Sequence, residues 1–451
     1  MAGTQPRRLA LCALAFSLLS PWPRQARAEP YPAIHTERAS EDWRGSELPL
    51  KDIALSSDIH LTLGGELRAK AEFLNAPRLG ITGEHSDAFI TQRALAHADL
   101  RIADAARVFV QVGVHDAVSR KLKSVADDDQ WDLTQGFVEL HGRVDTLDAT
   151  LRIGRQEMFL GSPRWVALRE ASNIRQRQDV ARLILSQGPW KVDLFTGRPT
   201  QERVGPWDDR GDPMQHFAGG RVERQFGAVT ADISRYDLIR EDFRIAGALG
   251  KDRRESTALK VTGPVGGGFD IDAEVMVQSG DFGSQNVSAW GGAAELGHQL
   301  DRAWRPRIAG RVTYGSGDSD PNDTRQQTFS PPFPRTIWFG QNGLSSFSNT
   351  LEVASTLGLD PTPKLTLIFK AGASWRANAR DFAYAGGALA LPGTRVADRY
   401  VGASGSVAYI WRASSHLMFV GYFSSVFVGR PLRAVGAKDV VYANSAIQLS
   451  Y

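Results

Sequence analysis

Apolar and polar residues alternate one for one, in short segments, along almost the whole chain. A period of two puts successive side chains on opposite faces of an extended strand, so each segment has one apolar and one polar side. In 107–115, Val108, Val110, Val112 and Val114 share one face, while Arg107, Gln111 and His115 share the other. Leu61, Leu63, Leu67 and Ala69 likewise oppose Glu66, Arg68 and Lys70. The same design repeats with Ile271, Ala273, Val275 and Val277 against Asp272, Glu274 and Gln278, and with Leu365, Leu367 and Phe369 against Thr366 and Lys370. About eighteen such segments run from 61–73 to 439–451, and most reach the ~9–11 residues a tilted strand needs to cross a bilayer.

The connections sort by length. Those after even-numbered segments are short (104–106, 144–147, 188–189, 225–226, 412–415), whereas most after odd-numbered ones are long (119–131, 159–178, 200–214, 317–347, 378–397). Only 280–285, set against 300–304, lacks this contrast. Short turns at one end and long loops at the other are the arrangement of an outer-membrane barrel with both chain ends in the periplasm. Trp375, Tyr409, Trp411 and Phe427 fall on apolar faces near segment ends, where interfacial aromatic belts sit. A soluble β-sandwich or β-helix also alternates, but needs neither an even strand count nor alternating loop lengths. Hydrocarbon cannot satisfy a free strand edge, so a spanning sheet must close. The expected fold is therefore all-β: one transmembrane antiparallel β-barrel with short periplasmic turns and long extracellular loops.

Arg7 and Arg8, the apolar stretch 9–19 and Ala26-Arg27-Ala28 read as a cleaved export signal over residues 1–28. Residues 29–60, rich in charge and proline, then form a periplasmic lead-in, and 61–451 the barrel. The one cysteine, Cys12, lies inside the signal, so the mature chain would hold no disulfide, thiolate metal site or cysteine nucleophile. Of 53 Lys and Arg, four belong to the signal, and the 49 that remain face 50 Asp and Glu. A nucleic-acid partner thus loses its electrostatic motive. Beyond the signal, no apolar run approaches the ~18 residues of a membrane helix.

If the apolar faces meet lipid, the polar faces enclose the lumen. Early segments bring Arg68, Lys70, Arg93, Arg101, Arg152 and Arg182, offset by Glu66, Asp99 and Glu139. Later ones bring Asp272, Glu274, Glu295 and Glu352, with Arg307 and Arg311 as the main basic residues. A basic wall facing an acidic one would favour solutes carrying carboxylates or phosphates. The plainer alternative is that these charges pair across neighbouring strands and only keep the wall rigid and hydrated. The densest basic stretch runs from Arg152 through Arg155, Arg164, Arg169, Arg175 and Arg177 to Arg182, and most of it is a long loop. Folded into the mouth, such a loop would make an anion-selective constriction, because the guanidinium fork matches a carboxylate in two bonds. Left outside, it would bind lipopolysaccharide phosphates.

Catalytic and metal-binding patterns are weak. His97, His115 and His141 point inward at different heights and make no ligand cluster. Asp318 to Asp323 has calcium-loop spacing, but it lacks glycine at the sixth position and places Phe329 where the closing glutamate belongs. Asp127 to Asp129 reads as a solvated loop tip, with divalent bridging to lipid phosphates as the alternative. An outer-membrane hydrolase needs a histidine within reach of a carboxylate and a nucleophile, and the outward faces offer isolated histidines such as His298. No catalytic residue, metal or cofactor is expected.

Several motifs together resemble the alginate export family of Gram-negative outer-membrane proteins, over about 61–451. They are Leu63-Gly64-Gly65-Glu66-Leu67-Arg68, Arg93 with His97-Ala98-Asp99-Leu100-Arg101, and Gly154-Arg155-Gln156-Glu157. Gly161-Ser162 with Arg164, Arg169-Glu170, Asn173-Ile174-Arg175, and Asp179 with Arg182 follow, then Ser316-Gly317-Asp318 and Thr328 to Pro334. The resemblance implies a barrel with a basic lumen that conducts an anionic polyuronate outward. It carries Arg68, Arg93, Arg101, Arg152, Arg155 and Arg169 over as lumen or mouth arginines, although strand parity sets Arg155 opposite Arg152. A late periplasmic loop plugs the pore of the family's characterised exporter, whereas the matching connection here, 412–415, is minimal, so that form of gating is not expected. Gln178 and Pro332 also depart from the family's usual pattern and leave the solute open. The expected function is passive, selective passage of anionic solutes, with a general or small-solute porin as the alternative. The expected partners are outer-membrane lipid, lipopolysaccharide and anionic saccharides or small anions.

Overall fold

The computed structural model describes residues 37–451 except 82, 84, 163, 336–338 and 341–345. The expected export signal lies outside them. β1 (Ile59–Leu74), β2 (Asp87–Ile102), β3 (Ala106–Val118), β4 (Asp129–Val144) and β5 (Leu147–Glu157) open the sheet. β6 (Arg177–Gln187), β7 (Trp190–Gln201), β8 (Gln215–Phe226), β9 (Val229–Ile245) and β10 (Ala248–Gly266) continue it. β11 (Phe269–Phe282), β12 (Gln285–Gln299), β13 (Arg307–Gly315) and β14 (Thr350–Thr362) come next. β15 (Leu365–Trp375), β16 (Tyr400–Arg412), β17 (Leu417–Val428) and β18 (Val440–Ser450) complete it. Among the described residues these are the eighteen long strands, each antiparallel to its chain neighbours. β18 pairs back on β1, from Glu66 opposite Ser450 to Leu74 opposite Tyr442, so the barrel closes without a free edge.

The two faces follow the alternation. Leu67, Val110, Val138, Val277 and Phe369 are exposed on the outside, and their neighbours Arg68, Gln111, Glu139 and Gln278 are buried inside. Trp411 and Phe427 are exposed near strand ends, as a belt requires. Every expected segment contains a strand. The main departure is 240–254, where β9 and β10 run on to a two-residue turn at Ala246 and Gly247, both at positive φ as a type I′ hairpin turn demands.

Two long loops turn inward rather than outward. Residues 158–176 and 316–349 meet across the lumen: Phe333 N–H donates to Trp165 O (2.9 Å) and Ala167 N–H to Phe333 O (3.0 Å). Trp165, Phe329, Phe333 and Phe347 pack there against inward-facing Phe217, Tyr236, Met276 and Ala289. Glycines on the wall make room. A Cβ on Gly291 would meet the Phe329 ring at 2.5 Å, and one on Gly315 would meet Phe347 O at 1.7 Å.

The segment from Glu37 to Asp52 enters from the turn end. Ala39 is buried against Phe109 and Phe137, its carbonyl accepts from Arg107 Nη1 (2.8 Å), and Arg38 Nη2 donates to Tyr451 O (2.6 Å). Lys51 Nζ donates to Leu63 O (2.8 Å) and lies over the rings of Trp43 and Tyr451. This stretch of the expected lead-in is packed into the barrel.

Candidate functional site

The polar lumen is organised by the loop 158–176. Its Glu170 reaches the β1–β2 wall, where Arg93 Nη2 approaches Glu170 Oε1 at 2.6 Å and Arg93 Nε donates to Glu66 Oε1 at 2.8 Å. Arg175 bridges Glu66 (2.9 Å) and Glu157 (3.6 Å) and also pairs with Glu170. Arg68 donates to the carbonyls of Glu170 and Ser172, both at 2.8 Å, and Lys70 Nζ to that of Ala171 at 2.7 Å. Five groups thus lock the loop to the wall through charge-assisted bonds.

At its other end the same loop crosses to the acidic wall. Arg164 lies 2.9 Å from Asp272 and 3.1 Å from Glu274 on β11. Glu295 pairs with Arg307 (2.9 Å), and Glu352 with Arg311 (2.9 Å) and Lys370 (2.8 Å). Asp272, Glu274, Glu295 and Glu352 do not face the basic side unbalanced, because a loop arginine bridges to the first two and neighbouring strands neutralise the others. Arg152 pairs with Glu139 and stacks on Phe137, and Arg182 pairs with Asp193. Arg101 sits at the turn end against Asp99 and the Glu41 carbonyl.

Arg155 and Arg177 depart further from the expected path. Arg155 shares strand parity with the exposed Ile153 and donates to Asp179 (2.7 Å), Leu133 O (3.0 Å) and Asp209 O (3.1 Å). Arg177 donates to Asp209 Oδ2 (2.7 Å). Both are committed to the loop end of β4–β7 and to the 202–214 connection. In the stretch with calcium-loop spacing, Asp318, Asp320 and Asp323 cap the backbone amides of Asp320, Asn322 and Arg325. His141 lies exposed at the rim, apart from the buried His97 and His115.

Arg169 is the expected arginine without an ion pair among the described residues; its Nε donates weakly to Pro334 O (3.4 Å). The residue after that proline is one the sequence did not single out. Arg335 is 5 % exposed, and neither its Nε nor its Nη2 has a hydrogen-bond partner among the described residues. Burial pushes its guanidinium pKa down, and the charges of Arg311 and Arg164 push the same way against Asp272. A cation held there without a counter-charge costs free energy that a bound anion would offset.

A closed antiparallel barrel with inward loops and a charged lumen defines an outer-membrane protein of the porin type. Solved structures share it: a BenF-like porin from Pseudomonas fluorescens superposes with a TM-score of 0.59 at 8% identity, covering 87% of this chain and 98% of that one. OccK2 (OpdF) of Pseudomonas aeruginosa, solved with glucuronate, gives 0.56 at 13% identity, and OpdK of the same organism, solved with vanillate, 0.57 at 10%. Each of these two alignments covers 86% of this chain and 98% of the other. No curated protein sequence matches. The sequence profile of the alginate export family matches residues 59–444, and the chain belongs to that family.

Proposed function

We propose that the protein is an outer-membrane channel for passive, selective passage of anionic solutes, with uronate-type carboxylates as the leading class. The observation that carries this reading is Arg335: in a lumen where almost every guanidinium is spent on a carboxylate, it is buried, charged and unpartnered among the described residues. A solute carboxylate can present two oxygens to that fork, exchange part of its hydration for it, and leave toward Arg169, whose own contact is one long bond to Pro334 O. The paired arginines act as the frame that holds both loops in place. Family membership supports export of an anionic polymer, and it supports a channel rather than an enzyme. The glucuronate on OccK2 and the vanillate on OpdK are both carboxylates.

A second reading, a porin for small carboxylates, is favoured by the loop-to-loop pairing of Trp165, Ala167 and Phe333 across the lumen. Planar-bilayer recordings separate the two. Long oligouronates should block a polymer channel more strongly than glucuronate does, whereas a small-solute porin should respond to the monomer alone. In either case Arg335→Gln should weaken the block by about tenfold, roughly the value of one charge-assisted hydrogen bond, while Arg152→Gln leaves it nearly unchanged. A wild-type channel without anion preference and without block by any uronate would overturn the proposal.

A further inference from the structure

A second charged site lies at the loop end of the barrel, away from the anion path. Carboxylate oxygens of Asp129, Asp132 and Asp209 all lie within 4.8 Å of one another, although the first two open β4 and the third belongs to the connection after β7. Acidic neighbours alone mean little. Here the central one, Asp129, is 1 % exposed, and both of its oxygens lack a hydrogen-bond partner among the described residues. Asp208 adds a further buried oxygen without a hydrogen-bond partner among the described residues.

His115 supplies an observation outside the acidic set. It is 4 % exposed, its Nδ1 has no hydrogen-bond partner among the described residues, and that atom sits 3.9 Å from Asp129 Oδ2. This is too long for a hydrogen bond, so the imidazole nitrogen is aimed at the cluster unpaired, beside an ion whose own ligands would be the carboxylate oxygens. The other carboxylates are already oriented. Asp132 Oδ2 accepts from the amides of Asp208 (2.9 Å) and Asp209 (3.0 Å), and Asp209 Oδ1 from that of Arg203 (2.7 Å). Two arginines touch the group: Arg177 at Asp209 (2.7 Å), and Arg155 at 3.7 Å from Asp132 while bonded to Asp179. Four carboxylates against two shared cations leave an excess of buried negative charge.

We propose that Asp129, Asp132 and Asp209, with Asp208 and His115 beside them, form a binding site for a divalent cation, and that the cation is calcium. Hard carboxylate oxygens select calcium or magnesium over softer ions, and two free oxygens on one aspartate suit the larger ion, which accepts two-oxygen coordination and irregular geometry. Bound there, calcium would join the start of β4 to the 202–214 connection and, through Arg177, to the end of the loop that crosses the lumen. The outer mouth would be braced by the cation while the solute meets arginine deeper inside.

The detergent-folded, chelator-treated protein offers a direct test. Trp131 and Trp207 flank the aspartates in sequence and are joined by a hydrogen bond from Trp207 N–H to Trp131 O (3.0 Å), so a terbium ion bound at the site should luminesce when indole is excited. The expected result is saturable terbium emission displaced by calcium, at least tenfold weaker binding in Asp129→Asn and in Asp209→Asn, and no change in the control Asp320→Asn. Calcium should also raise the unfolding temperature of the wild type and not that of Asp129→Asn. Absence of both signals in the wild type overturns the site, as does full retention of both in the two variants. Displacement by zinc or manganese but not by calcium overturns the identity of the ion.

Discussion

Arg93 and Arg335 are both buried guanidiniums inside one barrel, 2 % and 5 % exposed, yet they occupy opposite electrostatic situations. Arg93 is gripped by Glu66 and Glu170, whereas Arg335 has no carboxylate partner among the described residues. The first belongs to a strand wall and the second to a loop that enters from the mouth. A buried ion pair contributes little net stability but is costly to break, so the wall uses its charges for geometry. An unpaired cation contributes strain, which only an incoming partner relieves. Charge density alone therefore does not single out Arg335; its missing counter-charge does.

The largest effect that could break this contrast is on stability. Glu66→Ala strips Arg93 and Arg175 of a shared partner and should destabilise the barrel by about 3–5 kcal/mol in urea titrations of the folded protein, while Arg335→Ala should cost nothing or stabilise it. Equal losses in both would erase the distinction. A smaller effect sharpens it: Arg93→Lys keeps the charge but replaces a fork by a point donor, and should cost about 2 kcal/mol because one ammonium cannot span Glu66 and Glu170 with the same bonds.

The smallest effect tests the acidic counterpart. Asp318, in the loop after β13, has its carboxyl pushed up to about 6 by burial, with the charges of Asp381 and Asp323 adding to it. The folded state therefore holds a proton that the unfolded state has already lost between about pH 4 and pH 6. Stability contributed by that proton is present below this window and is lost as pH rises through it. Asp318→Asn should flatten the slope, leaving the variant more stable at pH 7 by on the order of 1 kcal/mol and equal to the wild type below pH 4. A slope unchanged in the variant would show that Asp318 does not carry the effect.

Strand number and facing were legible because a bilayer on one side and water on the other impose a period of two on every residue between them. The hairpin tip at 240–254 was not. There Arg240, Asp242, Arg244 and Lys251 stand on strands that run past the apolar band, and with water on the outer side too the alternation loses its contrast. The arginines of the loop 158–176 left two courses open, into the mouth or outside it, and the structure takes the first. Their pairing did not, because Arg164 finds Asp272 across 108 residues of chain and no local pattern encodes that distance. Arg335 was missed for the same reason, since lacking a partner is a property of the assembled lumen. Asp129 was read as a loop tip because its companion Asp209 comes from a different connection.

The tucked segment at the start of the described chain bears on how the barrel shuts. Lys51 touches Leu63 of the first strand and the ring of Tyr451 just past the last, and Arg38 takes the carbonyl of that same tyrosine. With Lys51 anchored on the first strand, the contacts to Tyr451 form only when the two ends of the sheet have met. Joining the seam and seating the insert thus become a single cooperative step, and a barrel zipped out of register would leave two buried cations with nowhere to dock.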